Sequence, residues 1–147
     1  MKFLKDLFDR RPKTTALIEM PMCSTKKIEI KDGKPVVDRV LNVPVPISYG
    51  YIPGTLAEDG DALDIFVISN KYLNTGDLVQ VRIIGMFECL DQGVSDNKIL
   101  AVIEGESCNE TICGSQVANY LLNYKSGFEL LGWKKIKSLK ELDKYKV

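Results

Sequence analysis

Hydrophobic and polar positions change their period several times along the chain, and each change marks an element. Residues 2 to 10 place Phe3, Leu4, Leu7 and Phe8 on one stripe with charges opposite, the spacing of a short helix covering a core. From Thr14 the pattern turns strand-like, and the run ending at Met20 is stopped by Pro21. Two β-branched runs, 26–30 and 35–41, flank Asp32 and Gly33, a pair that favours a tight hairpin turn. Pro44 and Pro46 then force an irregular passage before Ser48. Residues 63–69 carry apolar side chains on both faces, which predicts a central strand enclosed on both sides. A turn at 74–77 leads into 78–90, long enough for a strong bend near Gly85, and an acidic loop leads into the apolar run 98–103. Residues 104–115 read as a loop, after which Val117, Tyr120, Leu121 and Tyr124 recur at helical spacing over 115–125. Ser138 followed by Glu141 is a capping-box pattern that opens a short terminal helix.

Many strands joined by short turns in a small chain predict a barrel with helices packed on it, a mainly β (α+β) fold. Neither an internal repeat nor a linker divides the chain, so residues 1–147 are expected to form one domain. A chain of 147 residues with 45% hydrophobic positions can bury roughly 70% of its unfolded surface around one core.

Charge narrows the function. Twenty basic residues balance twenty acidic ones, which argues against a dedicated duplex-DNA binder. Histidine is absent, so Ser-His-Asp triads, Cys-His pairs and histidine zinc sites are excluded. Cys23, Cys89, Cys108 and Cys113 lack the C-x-x-C spacing of zinc ribbons and are expected to be free buried thiols. Cys108 and Cys113 could close a small disulfide loop only in an oxidising compartment. No apolar run approaches the roughly 18 residues of a membrane span, and the start carries no signal-peptide core; the expected location is the cytoplasm.

The remaining chemistry concentrates in carboxylates. Asp59, Asp61 and Asp64 stand at the mouth of the most apolar strand, and Leu63, Ile65 and Phe66 draw Asp64 inward. A carboxylate taken out of water costs several kcal/mol unless it is paired or binds a cation. Asp91 and Asp96 lie in the loop before the next buried strand, with Lys98 at its edge. Oxygen ligands without histidine or paired thiols select magnesium, manganese or calcium. An EF-hand is excluded, because Leu63, Asp64 and Asn70 stand where its loop needs an oxygen ligand, glycine and an acid. Lys27, Arg39, Tyr49, Lys98, Tyr124 and Lys125 would suit a phosphorylated substrate if they converge. Taken singly, each is an ordinary surface cation or core tyrosine.

Several blocks together resemble the soluble family I inorganic pyrophosphatases: Ile18-Glu19-Met20-Pro21, residues 26–30, Asp38-Arg39-Val40-Leu41, residues 48–67 with their D-G-D-x-x-D core, residues 91–102, and Asn123-Tyr124-Lys125. The resemblance implies an OB-like five-stranded barrel with flanking helices that hydrolyses pyrophosphate with magnesium, manganese being able to replace it. It implies metal binding by Asp59, Asp64, Asp91 and Asp96, with Glu29 and Glu19 contributing, and Asp61 as general base. It implies that Lys27, Arg39, Tyr49, Lys98, Tyr124 and Lys125 grip the phosphoryl groups. The implied partner is the small-molecule substrate, with no nucleic acid and no membrane, in a homo-oligomer. A hexamer is not carried over, because the connection after Glu104 is short and the helix lacks histidines. Val45 stands where many relatives have a site-lining tyrosine, Gln92 where many have glutamate and Ala62 where proline is usual. Hydrolysis of another small phosphoanhydride, a non-catalytic phosphate binder and an OB-type nucleic-acid module are the competing readings.

Overall fold

The computed structural model describes residues 9–147; the Phe3, Leu4, Leu7 and Phe8 stripe lies outside them. Among the described residues nine strands are formed: β1 Lys13–Met20, β2 Lys26–Lys31, β3 Lys34–Val40, β4 Ser48–Tyr51, β5 Asp64–Ile68, β6 Leu78–Asp91, β7 Val94–Ser95, β8 Lys98–Ile103 and β9 Phe128–Lys135. Among the described residues one α-helix, α1 Glu110–Leu122, precedes β9, and a 3-10 helix, Leu139–Tyr145, follows it. Hydrogen bonding runs β1-β4-β5-β8-β6 and returns from β6 to β1, closing a ring of five strands with OB-like connectivity. Within the ring β5 and β8 pair in parallel and every other pair is antiparallel. β2 and β3 form a separate hairpin, turned by Asp32 and Gly33 in left-handed backbone as their sequence predicts.

The continuous apolar runs of β5 and β8 have a direct structural cause. Ile65, Val67, Ile99 and Ala101 point into the ring, where they meet Ile18, Leu63, Ile83 and Met86. Phe66, Ile68, Leu100 and Val102 point outward and are covered by Val117, Tyr120 and Leu121 of α1. Both faces are therefore core, so no polar alternation survives. Leu142 and Tyr145 of the 3-10 helix close one end of the ring interior.

β6 bends at the expected point. Its register against β8 shifts between Ile83 and Gly85, and a methyl group at Gly85 would stand 2.6 Å from the Lys134 carbonyl oxygen. The bend sends the second half of β6 beyond the ring, where β9 pairs with it from Gly85 to Asp91. β9 has no counterpart among the sequence expectations.

α1 begins earlier than its spacing suggests, at Glu110 within the expected loop. Asn109 caps it, the side-chain oxygen accepting from the Ile112 N–H at 3.0 Å. That satisfies a first-turn donor and outweighs the weak helical preference of Thr111, Ile112 and Gly114. The helix stops at Leu122, so Tyr124 sits just past its end. The terminal capping box is present: the Ser138 hydroxyl accepts from Lys140 N–H, and Glu141 accepts from Ser138 N–H at 3.0 Å. The helix it opens is 3-10. Cys89 is buried as expected, whereas Cys23 is exposed.

The buried Asn97 ties the 3-10 helix to the ring. Its Oδ1 accepts from Cys89 N–H at 3.0 Å and its Nδ2 donates to the Tyr145 hydroxyl at 2.9 Å. Tyr145→Phe leaves that amide donor unpaired and should cost about 1–2 kcal/mol, read as a lower urea midpoint at unchanged slope.

Candidate metal and anion site

The parallel pairing of β5 and β8 builds the centre of the site. Asp64 opens β5, Lys98 opens β8, and the two are register partners with side chains on the same side. Lys98 Nζ lies 2.5 Å from Asp64 Oδ2 and 3.1 Å from Asp96 Oδ1, and donates to the Tyr49 hydroxyl at 3.2 Å. Lys98 is only 3% exposed. Burial works against its charge, but Asp64, Tyr49 and Asp96 outweigh that and hold it firmly protonated. Burial likewise raises Asp64, yet Lys98 and then Lys27 bring it below the ordinary carboxylate range. Asp96 behaves differently. Burial pushes it up to about 6, Lys98 offsetting part of the rise and Asp64 adding to it.

The other acids arrive on turns. A loop ending at Asp61 is closed by Ala57 N–H to the Asp61 carbonyl at 2.7 Å and by Asp61 N–H to Asp59 Oδ1 at 3.0 Å, with Gly60 at φ 90°. Asp61 is raised by burial and then by the charges of Asp59, Asp64 and Glu29. Asp91 ends β6; its Oδ2 meets Lys125 Nζ at 3.0 Å, while its Oδ1 is buried with no hydrogen-bond partner. Glu19, at the end of β1, accepts from Ile30 N–H at 2.9 Å and so holds the β2–β3 hairpin beside the ring. Its carboxyl is raised by burial. From that hairpin Lys27 lies 4.6 Å from the Tyr49 ring centroid, and Arg39 donates to the Tyr124 hydroxyl at 2.8 Å.

One cavity of about 380 Å³ collects every residue expected to bind metal or substrate or to act as base: Glu19, Lys27, Glu29, Arg39, Tyr49, Asp59, Asp61, Asp64, Asp91, Asp96, Lys98, Tyr124 and Lys125. Asp38, Lys31 and Tyr51 join them without having been expected. Lys31 follows Lys27 and Glu29 at the two-residue period of β2, and Tyr51 follows Tyr49 in the same way, so strand alternation was a usable signal. Asp38 carried none. A bulge opposite Lys27 and Ile28, whose partners are Arg39 and Val37, leaves Asp38 as the extra residue, and both Asp38 and Arg39 reach the cavity. Ala62 lines the wall, whereas Val45 is buried in the layer under α1, away from the wall expected of it.

Around the cavity eight carboxylates face five cationic side chains. With that excess of negative charge an anion gains entry only together with further positive charge. Oxygens of Asp59, Asp64 and Asp96 lie within 4.8 Å of one another. This cluster and the orphaned Asp91 Oδ1 fit a hard divalent cation, which takes carboxylate oxygens readily. Glu19, Glu29 and Asp91 lie outside the three-residue cluster but line the same cavity.

Asp96 sets the pH response. Its folded value lies above the unfolded one, so it loses stability for the ion-free protein as pH rises through about 6, while cation binding needs its ionised form. The rise in melting temperature produced by a divalent cation should therefore be full near pH ~7.5 and shrink sharply near pH ~5, measured by thermal unfolding with and without the ion.

Comparison with known proteins adds an independent line. A family model described as inorganic pyrophosphatase matches residues 16–128. The inorganic pyrophosphatase of Sulfolobus acidocaldarius is 47% identical over 90 residues, covering 58% of this chain and 52% of that protein, so the chain spans about half of its length. That of Synechocystis is 38% identical over 138 residues, covering 82% of this chain and 81% of the relative. The crystal structure of the Thermus thermophilus inorganic pyrophosphatase superimposes with a TM-score of 0.81 at 30% identity, over 92% of this chain and 91% of that one.

Proposed function

The chain belongs to the inorganic pyrophosphatase family, and on that premise we propose that it hydrolyses pyrophosphate to two phosphates with magnesium, manganese serving in its place. The observation that carries the reading is the single cavity in which clustered carboxylate oxygens face lysines, an arginine and tyrosine hydroxyls. Its lining is polar or charged apart from Ile30, Ala62 and the tyrosine rings, which suits a small, highly charged anion. This favours a small inorganic substrate over a nucleotide.

In this reading Asp59, Asp64, Asp91 and Asp96 hold the cations, and Glu29 and Glu19 support them from the wall. Divalent ions there neutralise phosphate charge and lower the pKa of water toward about 7. Asp61, raised in the ion-free site by burial and then by the neighbouring acids, accepts the proton of the attacking water. Water oxygen bonds to one phosphorus in line as the bridging P–O bond breaks, and the second phosphate leaves. Arg39, Lys27 and Lys125 take up the charge that develops on it, and Tyr49 and Tyr124 orient it. Lys98, already engaged with both Asp64 and Asp96, sets the spacing of those carboxylates and lends a proton-rich edge to the phosphoryl site.

The same reading assigns the chain to the cytoplasm as a homo-oligomer acting without nucleic acid. Exposed Val36, Val37 and Val40 on β3 provide apolar surface for self-association, and no helix of the described residues is long and apolar enough to cross a membrane.

Phosphate release from pyrophosphate should require a divalent cation and stop with chelator, while nucleoside triphosphate yields little. Asp61→Asn should lower kcat by about 10²–10⁴-fold with the melting temperature nearly unchanged; a variant retaining full turnover removes Asp61 from the proton-accepting role.

A further inference from the structure

Gln92 and Gly127 meet between two short turns that flank cavity-lining Asp91 and Lys125. Gln92 and Gly93 form the two-residue loop between β6 and β7, with φ of 52° and 80°, the backbone of a primed hairpin turn. Glycine and asparagine adopt this conformation readily; glutamine does so under strain and needs a compensating contact. The compensation comes from the segment after α1. Gln92 N–H donates to the Gly127 carbonyl at 2.8 Å, and Gln92 Nε2 donates to the Ser126 carbonyl at 3.2 Å. The side-chain amide covers Gly127 so closely that a methyl group there would stand 2.0 Å from Nε2.

Gly127, at φ 80°, is the third residue of a turn closed by Phe128 N–H to the Lys125 carbonyl at 3.3 Å, a position where glycine is the unstrained choice. Lys125 opens that turn and reaches Asp91 at 3.0 Å, and Asp91 immediately precedes Gln92. The bracing contact thus joins the two short turns whose neighbouring residues carry the Lys125–Asp91 pair.

We infer that Gln92 is a positioning residue: its side-chain amide holds the 125–128 turn against the β6–β7 turn, and so presents Lys125 to Asp91 and to an anion in the cavity. The inference rests on the pyrophosphate reading of the site. The backbone bond from Gln92 to Gly127 survives any non-proline substitution, so removing the amide acts on the placement of Lys125 while leaving the strand pairing in place.

Gln92→Gly separates placement from folding, because it removes the amide and relieves the strained φ at once. Its melting temperature should equal or exceed that of the wild type, while KM for magnesium pyrophosphate rises about 3–10-fold and kcat stays within about twofold. In a Lys125→Met background the same substitution should add no further rise in KM, since the group it places is gone. An unchanged KM, a rise that adds fully to that of Lys125→Met, or a rise accompanied by a lower melting temperature overturns the inference. If the wild-type chain hydrolyses nothing, the functional reading fails, and calorimetric affinities of the four proteins for pyrophosphate take the place of KM. Non-additivity between Gln92 and Lys125 then supports the inference and additivity overturns it.

Discussion

The contact between the buried ammonium of Lys98 and the carboxylates of Asp64 and Asp96 is the interaction on which the site depends. An uncompensated lysine at that depth would be driven to lose its proton, and two uncompensated aspartates would be driven to gain one. Together they cancel most of one another's cost. The arrangement follows from topology: β5 and β8 run parallel in exact register partnership, so their first residues emerge side by side at the same rim of the ring. Closure of the ring by β1 and β6 keeps that rim rigid, and the remaining acids arrive on the short turns that leave it.

One positive charge does not balance so many acids. The cation of Lys98 satisfies Asp64 and half of Asp96, Lys125 satisfies one oxygen of Asp91, and the other oxygen of Asp91 is left without a partner. The protein has thus arranged its own side chains to hold the wall together before any ion arrives, and has left a specific electrostatic deficit for ions to fill. Lysines and Arg39 on the hairpin and after α1 line the same cavity. In the proposed reading cations and anionic substrate are coupled, each making the other easier to bind.

Local patterns carried a good part of this. The unbroken apolar run at 65–68 marks a strand with two covered faces, and the Asp32-Gly33 pair marks the hairpin. Ser138 with Glu141 marks the last helix start, although the helical type that follows depends on packing of Leu142 and Tyr145. The site residues were recognisable as blocks of a familiar arrangement, and their convergence in one cavity is what the chain's three-dimensional closure adds. What was illegible is non-local. β9 exposes Leu131 and Trp133 on its outward face, which blurs alternation, and it forms because the bend in β6 leaves an edge to pair with. Asp38 reaches the wall through a bulge that only the partner strand reveals. The early start of α1 turns on one Asn109 hydrogen bond, too small a signal beside a β-branched pair and a glycine.

The shared backbone of β5 and β8 has a further consequence for how this protein can diverge. Ile65 and Phe66 are neighbours in the chain yet belong to separate apolar layers, one filling the ring and one meeting the helix. A bulkier side chain accepted on one layer shifts a strand that the other layer also rests on. The two layers are consequently bound to drift together over evolutionary time, with substitutions beneath the helix answered by substitutions inside the ring.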